Sequence, residues 1–179
     1  MAKFSLVAFN PEASPVLNIC AELNLNKESI FVSYRIDRGF ELVETGQIAA
    51  RKERVLKLWE KTCFELFIKN KSDSYVEFNF SPNFEWNCFY FEKKGNELKE
   101  WEKMTMPKLD VLLSNDNFLL IAEIKKDFFP IGFFDENQRL SAGISCVIKD
   151  KKSTMSYWAL THCDSRPNFH HFDSFIYKF

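Results

Sequence analysis

Glu65 and Glu77 stand in two nearby stretches, TCFELFIK and SYVEFNFS, where single acids sit among alternating apolar residues. Two carboxylates can act as acid and base on a glycosidic bond when about 5–9.5 Å separates them. Sequence spacing does not set that distance. The same acids, together with Asn79 and Arg35, can instead read the hydroxyls of a bound ligand, where an unpaired polar group would be costly. Arg35 and Glu65 could also make a cross-strand ion pair of purely structural value, worth about 0–1 kcal/mol if exposed. Cys63 or Cys163 becomes a nucleophile candidate only if a histidine meets it in space. The chain has no G-x-S-x-G elbow, P-loop or HExxH. A non-catalytic protein is the expectation.

Metal and haem chemistry have little to work with. His170 and His171 are adjacent and would point to opposite faces of a strand, so they do not readily chelate one ion. His162 is the remaining histidine. One axial haem ligand stays open as an alternative, but no CxxCH attachment motif occurs. The five cysteines include no CxxC pair, which argues against a zinc knuckle, and an odd count forbids full pairing within one chain. Cys63, Cys88 and Cys146 fall in strand-like patterns and are expected as buried thiols. No cofactor or metal is expected.

The elements that must position these groups are strands. Apolar residues repeat with period two over Lys3–Ala8, Val16–Leu25, Ser29–Asp37, Lys61–Lys69, Ser74–Ser81, Glu85–Lys93, Leu109–Ser114, Phe118–Lys125, Leu140–Lys149 and Thr154–Leu160. Turn chemistry such as DRG, SPN and KKGNE separates many of them. Short strands on hairpin-length loops, without helices between most of them, predict an all-β, antiparallel β-sandwich of immunoglobulin-like or jelly-roll type. Two segments break the pattern. Glu44–Trp59 reads as a short helix or a long connection, with Arg51, Lys52, Arg54 and Lys57 on a solvated face. Asp127–Phe134, with Pro130 and Gly132, reads as a loop with apolar anchors.

Alternation also sorts faces. Phe64, Leu66 and Ile68, then Val76, Phe78 and Phe80, then Ile30, Val32, Tyr34 and Ile36 form the expected inter-sheet core. The opposite parity mixes aromatics with Arg35, Glu65, Glu77 and Asn79. Solvent, a covering loop or a ligand could lie against that face. Trp59 is either a platform for a ligand or a plug at the end of the sandwich. Trp86 is expected to pack beneath the SPN turn and Trp158 in the core.

Bulk composition narrows the partners. The 179 residues suit one domain, 1–179. Twenty phenylalanines and 16% aromatics fit a folded protein. Net charge is −1 with scattered Lys and Arg, so nucleic acid is not an expected partner. No apolar run approaches the ~20 residues of a membrane helix. The start, MAKFSLVAFNPEASP, has too short an apolar segment for a secretory signal, and the expected location is the cytoplasm.

From Trp59 onward, LWEKTCFELFI, YVEFNFSPNFEW and SYWALTH…RPNFHHFDSF follow in an order and spacing that resembles bacterial DOMON-like domains, which are related to family 9 carbohydrate-binding modules. VSYRID at Val32–Asp37 adds weaker support. The resemblance implies a β-sandwich. Family 9 modules hold sugar between two tryptophans with charged and amide side chains nearby, and DOMON relatives bind sugars or haem. Trp59 and Glu65 look like the first sugar-stacking tryptophan and the acid that follows it. Glu77 stands where the family has a basic residue, and Asn79 matches its amide. Phe169, His170 and His171 occupy the region of the second tryptophan. The resemblance implies a non-catalytic module for a small carbohydrate-like or polyol-bearing ligand, and together with strand parity, which contributes Arg35, the expected site is Trp59, Glu65, Glu77, Asn79 and Arg35, with Phe169 and His170 as the opposite wall. The alternative is a protein-interaction or structural domain, in which a protein partner covers the polar face.

Overall fold

β-Branched and aromatic residues at every second position build twelve strands in the computed structural model, which describes residues 2–47, 52–95, 97–114, 117–134 and 139–179. One sheet joins β1 (Ala2–Ser5), β3 (Asn18–Leu25), β4 (Ser29–Arg38), β9 (Phe118–Lys125) and β8 (Lys108–Leu113) in that order. The other runs β2 (Val7–Ala8), β11 (Met155–Ala159), β10 (Ser141–Lys149), β5 (Cys63–Lys69), β6 (Tyr75–Phe80) and β7 (Trp86–Phe91). Within it β12 (Tyr177–Lys178) pairs with Ser141 and Ala142 of β10, beyond the Ser145–Lys149 stretch taken by β11. The ladders between these strands are antiparallel, as the hairpin-length loops predict.

The core lies between the sheets and contains the expected residues. Phe64, Leu66, Ile68, Val76, Phe78 and Phe80 meet Ile30, Val32, Tyr34 and Ile36 in one buried cluster. Each such side chain contributes about 1.5–3 kcal/mol of transfer free energy. Tyr34 is the polar exception. Its hydroxyl donates to the Glu65 carbonyl at 2.7 Å, which satisfies a buried group and ties the two sheets together. Trp158 packs in this core as expected, and Cys63, Cys88 and Cys146 are buried free thiols.

Three elements differ from the sequence reading. Lys3–Ala8 is not one strand: it divides at buried Leu6, so β1 joins one sheet and β2 the other. The in–out alternation of burial runs on across the break, so the pattern does not reveal it. The described part of Glu44–Trp59 holds no α-helix. Arg54 instead bridges Trp86 on the free edge of β7, with Val55 N donating to Trp86 O at 3.0 Å. Arg54 is also not a solvated cation: it donates to the Trp101 and Met104 carbonyls and lies 4.6 Å from the Trp86 ring. Arg51 lies outside the described residues. Lastly, β12 is too short to leave a periodic signal. The segment Asp127–Phe134 is the expected loop, anchored by buried Phe129 and Phe133.

The outer face of the larger sheet is covered by a third layer. Phe67, Tyr75, Phe89 and Phe91 project from it and bury themselves against Phe175, with Trp59, Phe169 and Phe172 packed around them. Gly143 makes the docking of Phe175 possible. A Cβ there would meet the Phe175 ring at 2.5 Å. Among the described residues no helix is long and apolar enough to cross a membrane.

Candidate functional site

Strand register places the acids. Glu65 on β5 lies opposite Asn79 on β6, with Ser145 of β10 and Asn87 of β7 at the two ends of the row. The next row is Gly143, Phe67, Glu77 and Phe89. Glu65 and Glu77 are therefore diagonal neighbours, whose Cα atoms stand about 7–8 Å apart. Both side chains point to the outer face, away from the core, as their parity predicts.

Above these rows is a cleft of about 280 Å³, with Glu65 and Glu77 at its floor. Trp59 forms one wall. It sits in the 3-10 turn Leu58–Glu60, where buried Leu58 anchors the turn and leaves Trp59 half-buried, edge-on to Phe89 at 5.9 Å. Phe169 and His170 also line the cleft. The turn that carries them is held by Asp164, which accepts from Asn168 Nδ2 at 3.0 Å, and by Ser174, whose hydroxyl donates to the His171 carbonyl. His170 Nδ1 pairs with the Tyr75 hydroxyl at 3.0 Å. Phe67, Tyr75 and Phe91 meet the same imidazole edge-on.

The floor is unusual in its polar accounting. Ser145 Oγ donates to Glu65 Oε2 at 3.2 Å, and Asn79 Nδ2 donates to Glu77 Oε1 at 2.8 Å. Glu77 Oε2 and Asn79 Oδ1 are buried without a hydrogen-bond partner among the described residues. The closest cationic candidate, His170 Nε2, stands 3.7 Å from Glu77 Oε2. Among the described residues neither acid has a Lys or Arg within ion-pair distance. Loss of water raises both carboxyl pKa values. Glu77 is pushed up to about 7, although its bond from Asn79 works the other way. Glu65 is raised well above the carboxylate range, first by burial and then by the charge of Glu77, against the Ser145 bond. Packing pushes the His170 imidazole down, with Lys94 adding to the effect, so it does not supply the missing positive charge.

Six of the seven expected site residues converge here: Trp59, Glu65, Phe169 and His170 line the cleft with Glu77, and Asn79 lies beneath, bonded to Glu77. Arg35 is the correction. It lies on the outer face of the five-stranded sheet, opposite Cys20 and Leu119, and pairs with Asp37 at 2.9 Å. The expected Arg35–Glu65 pair does not form, because the outer faces of the two sheets look in opposite directions. Parity identifies an outward residue without saying which sheet it belongs to. Tyr157 and Val147 also line the cleft. Their signal is present in the sequence: Val147 alternates with core Cys146 and Ile148, and Tyr157 with Trp158. Leu98 and Asn168, from irregular connections, have no such signature.

Together these features define a class: an antiparallel β-sandwich with an aromatic-walled, acid-floored cleft on the outside of its larger sheet. No protein-family model and no curated protein matches the sequence. Solved structures share the architecture. A protein from Bacteroides uniformis ATCC 8492, described provisionally as carbohydrate-binding, superposes with a TM-score of 0.71 at 14% identity, over 95% of this chain and 82% of that one. A family 9 carbohydrate-binding module from Caldicellulosiruptor kristjanssonii, solved with glucose, gives 0.50 at 10% identity over 86% of this chain and 73% of its own. The same kind of module with cellotriose gives 0.50 at 10%, over 83% and 67%. At these identities the shared property is the fold, and it is the fold that the family 9 resemblance implied.

Proposed function

We propose that the protein is a non-catalytic carbohydrate-binding module that holds a sugar in the cleft between Trp59 and Phe169. The observation that carries this reading is the pairing of a half-buried indole with buried acceptors, Glu77 Oε2 and Asn79 Oδ1, that have no partner among the described residues. The apolar face of a pyranose gains by burial against an aromatic ring. Its hydroxyls supply the hydrogens that the floor lacks. Glucose and cellotriose in the Caldicellulosiruptor modules of like fold support the same ligand class. A catalytic role fits the geometry less well. A glycosidase places its two carboxyls on either side of the scissile bond, whereas Glu65 and Glu77 lie on one sheet face, both beneath the cleft.

The test is a titration of mono- and disaccharides followed by tryptophan fluorescence. A saturable change is expected for at least one sugar. Trp59→Ala should remove the signal and weaken binding at least about tenfold, the scale of a lost aromatic anchor. Trp86, Trp101 and Trp158 stay in the variant as an internal reference. If no sugar in the panel gives saturation, or Trp59→Ala binds as the parent does, the proposal fails.

A further inference from the structure

We propose that the cleft selects a sugar carrying a free primary ammonium group over its neutral counterpart. This inference rests on the carbohydrate reading above and narrows it. Hydrogens are in short supply on the floor. Glu65 receives one hydrogen from Ser145, and Glu77 one from Asn79. The Tyr75 hydroxyl and His170 Nδ1 are engaged with each other. Asn87 Nδ2 is directed away, to the Val55 carbonyl and to Glu100. With both carboxyls ionised the floor has acceptors in excess, and among the described residues two of them, Glu77 Oε2 and Asn79 Oδ1, have no partner. A hydroxyl brings one hydrogen, whereas an ammonium brings three and a positive charge. Charge-assisted bonds to a carboxylate are about twice as strong as neutral ones.

The surroundings favour an organic cation. The aromatic residues Trp59 and Phe169 line the cleft, and an ammonium is attracted to an aromatic face. Among the described residues no group of three His, Cys, Asp or Glu is arranged to hold a metal ion. The groups that bear on Glu77 from the packed elements are Glu65, Tyr75, Cys63, Cys88 and His170. None of these is a fixed cation. Lys94, the basic side chain that bears on His170, also lies over the Phe172 ring. Among the described residues, an ammonium entering beside the half-exposed His170 would be the first fixed positive charge to face the two acids.

A bound cation favours the ionised form of both carboxyls, so its binding must release protons. A neutral sugar brings hydrogen bonds but no charge, so it favours ionisation less and releases fewer protons. The experiment is calorimetric titration of the full chain with glucosamine, glucose and cyclohexylamine near pH 6, in two buffers of different ionisation enthalpy. The expected result is at least about tenfold tighter binding of glucosamine than of glucose, with a larger buffer-dependent heat for glucosamine than for glucose. In Glu77→Gln, checked for folding by its melt, the ratio of the two affinities should fall towards one. The ratio and the proton release in the unaltered protein stand without the variant. Equal binding of glucose and glucosamine, or tighter glucose, overturns this inference and leaves the carbohydrate reading in place. Cyclohexylamine binding as tightly as glucosamine overturns it by removing the sugar from recognition. Failure of both sugars overturns this inference, and the carbohydrate reading falls with it only if the whole sugar panel also fails to saturate.

Discussion

Replacing Glu77 by glutamine should make the protein less sensitive to rising pH. The folded protein holds the Glu77 proton until about pH 7, whereas a carboxyl in the unfolded chain releases it near 4.5. Below pH 4.5 both states are protonated and the group costs nothing. Between 4.5 and about 7 the unfolded chain ionises first, so stability falls as pH rises. Above about 7 the cost is complete and constant. At about 1.4 kcal/mol for each pH unit, the whole interval amounts to about 3 kcal/mol. The substituted amide keeps the shape of the side chain and has no charge to desolvate. Urea denaturation of parent and variant from pH 4.5 to 8.5 measures the difference, in which all other titrating groups largely cancel. The parent should lose about 3 kcal/mol relative to Glu77→Gln, mostly between pH 5 and 7. Part of the slope belongs to Glu65, whose proton is held still more tightly while Glu77 is charged. The double variant with Glu65→Gln should therefore flatten the curve further, from about pH 4.5 upward and beyond pH 7. Parallel curves for parent and Glu77→Gln would refute the claim that this carboxyl is desolvated and unpaired.

Gly143→Ala should cost about 1–3 kcal/mol in thermal or urea unfolding, because its Cβ would strike Phe175 and lift the covering layer. The same variant should become more susceptible to limited proteolysis within 163–179, read by mass spectrometry. Phe67→Ala should lose about 3–5 kcal/mol, since it empties the centre of the outer cluster, where Phe67 stacks on Phe175 at 5.4 Å. Arg35→Ala should change stability by less than about 0.5 kcal/mol and leave sugar affinity unchanged, because Arg35 is exposed on the far sheet and held only to Asp37.

Alternation carried most of the architecture in the sequence. The parity of Phe64, Leu66, Val76 and Phe78 against Glu65 and Glu77 gave both the core and the site floor, because a pleated strand allows no other assignment once one face is buried. Arg35 marks the limit of that reasoning: its parity is right and its sheet is wrong, since sheet membership depends on long-range pairing. Leu6 shows a second limit, because a chain that changes sheets without breaking its in–out alternation leaves no trace in the pattern. The third is the covering layer. Phe169, Phe172 and Phe175 have no fixed period, and their role follows from the flat aromatic surface they meet, including the gap at Gly143.

The cleft draws its floor and its walls from parts of very different tolerance. The floor is pinned by the registers of β5, β6 and β10, where a one-residue slip would reverse every side chain. The walls come from irregular turns around Trp59, Leu98 and Phe169, whose backbones lie outside the ladders. Exchanging those turns alone would reshape the cleft while leaving its acidic floor in place, with the sandwich as a constant chassis.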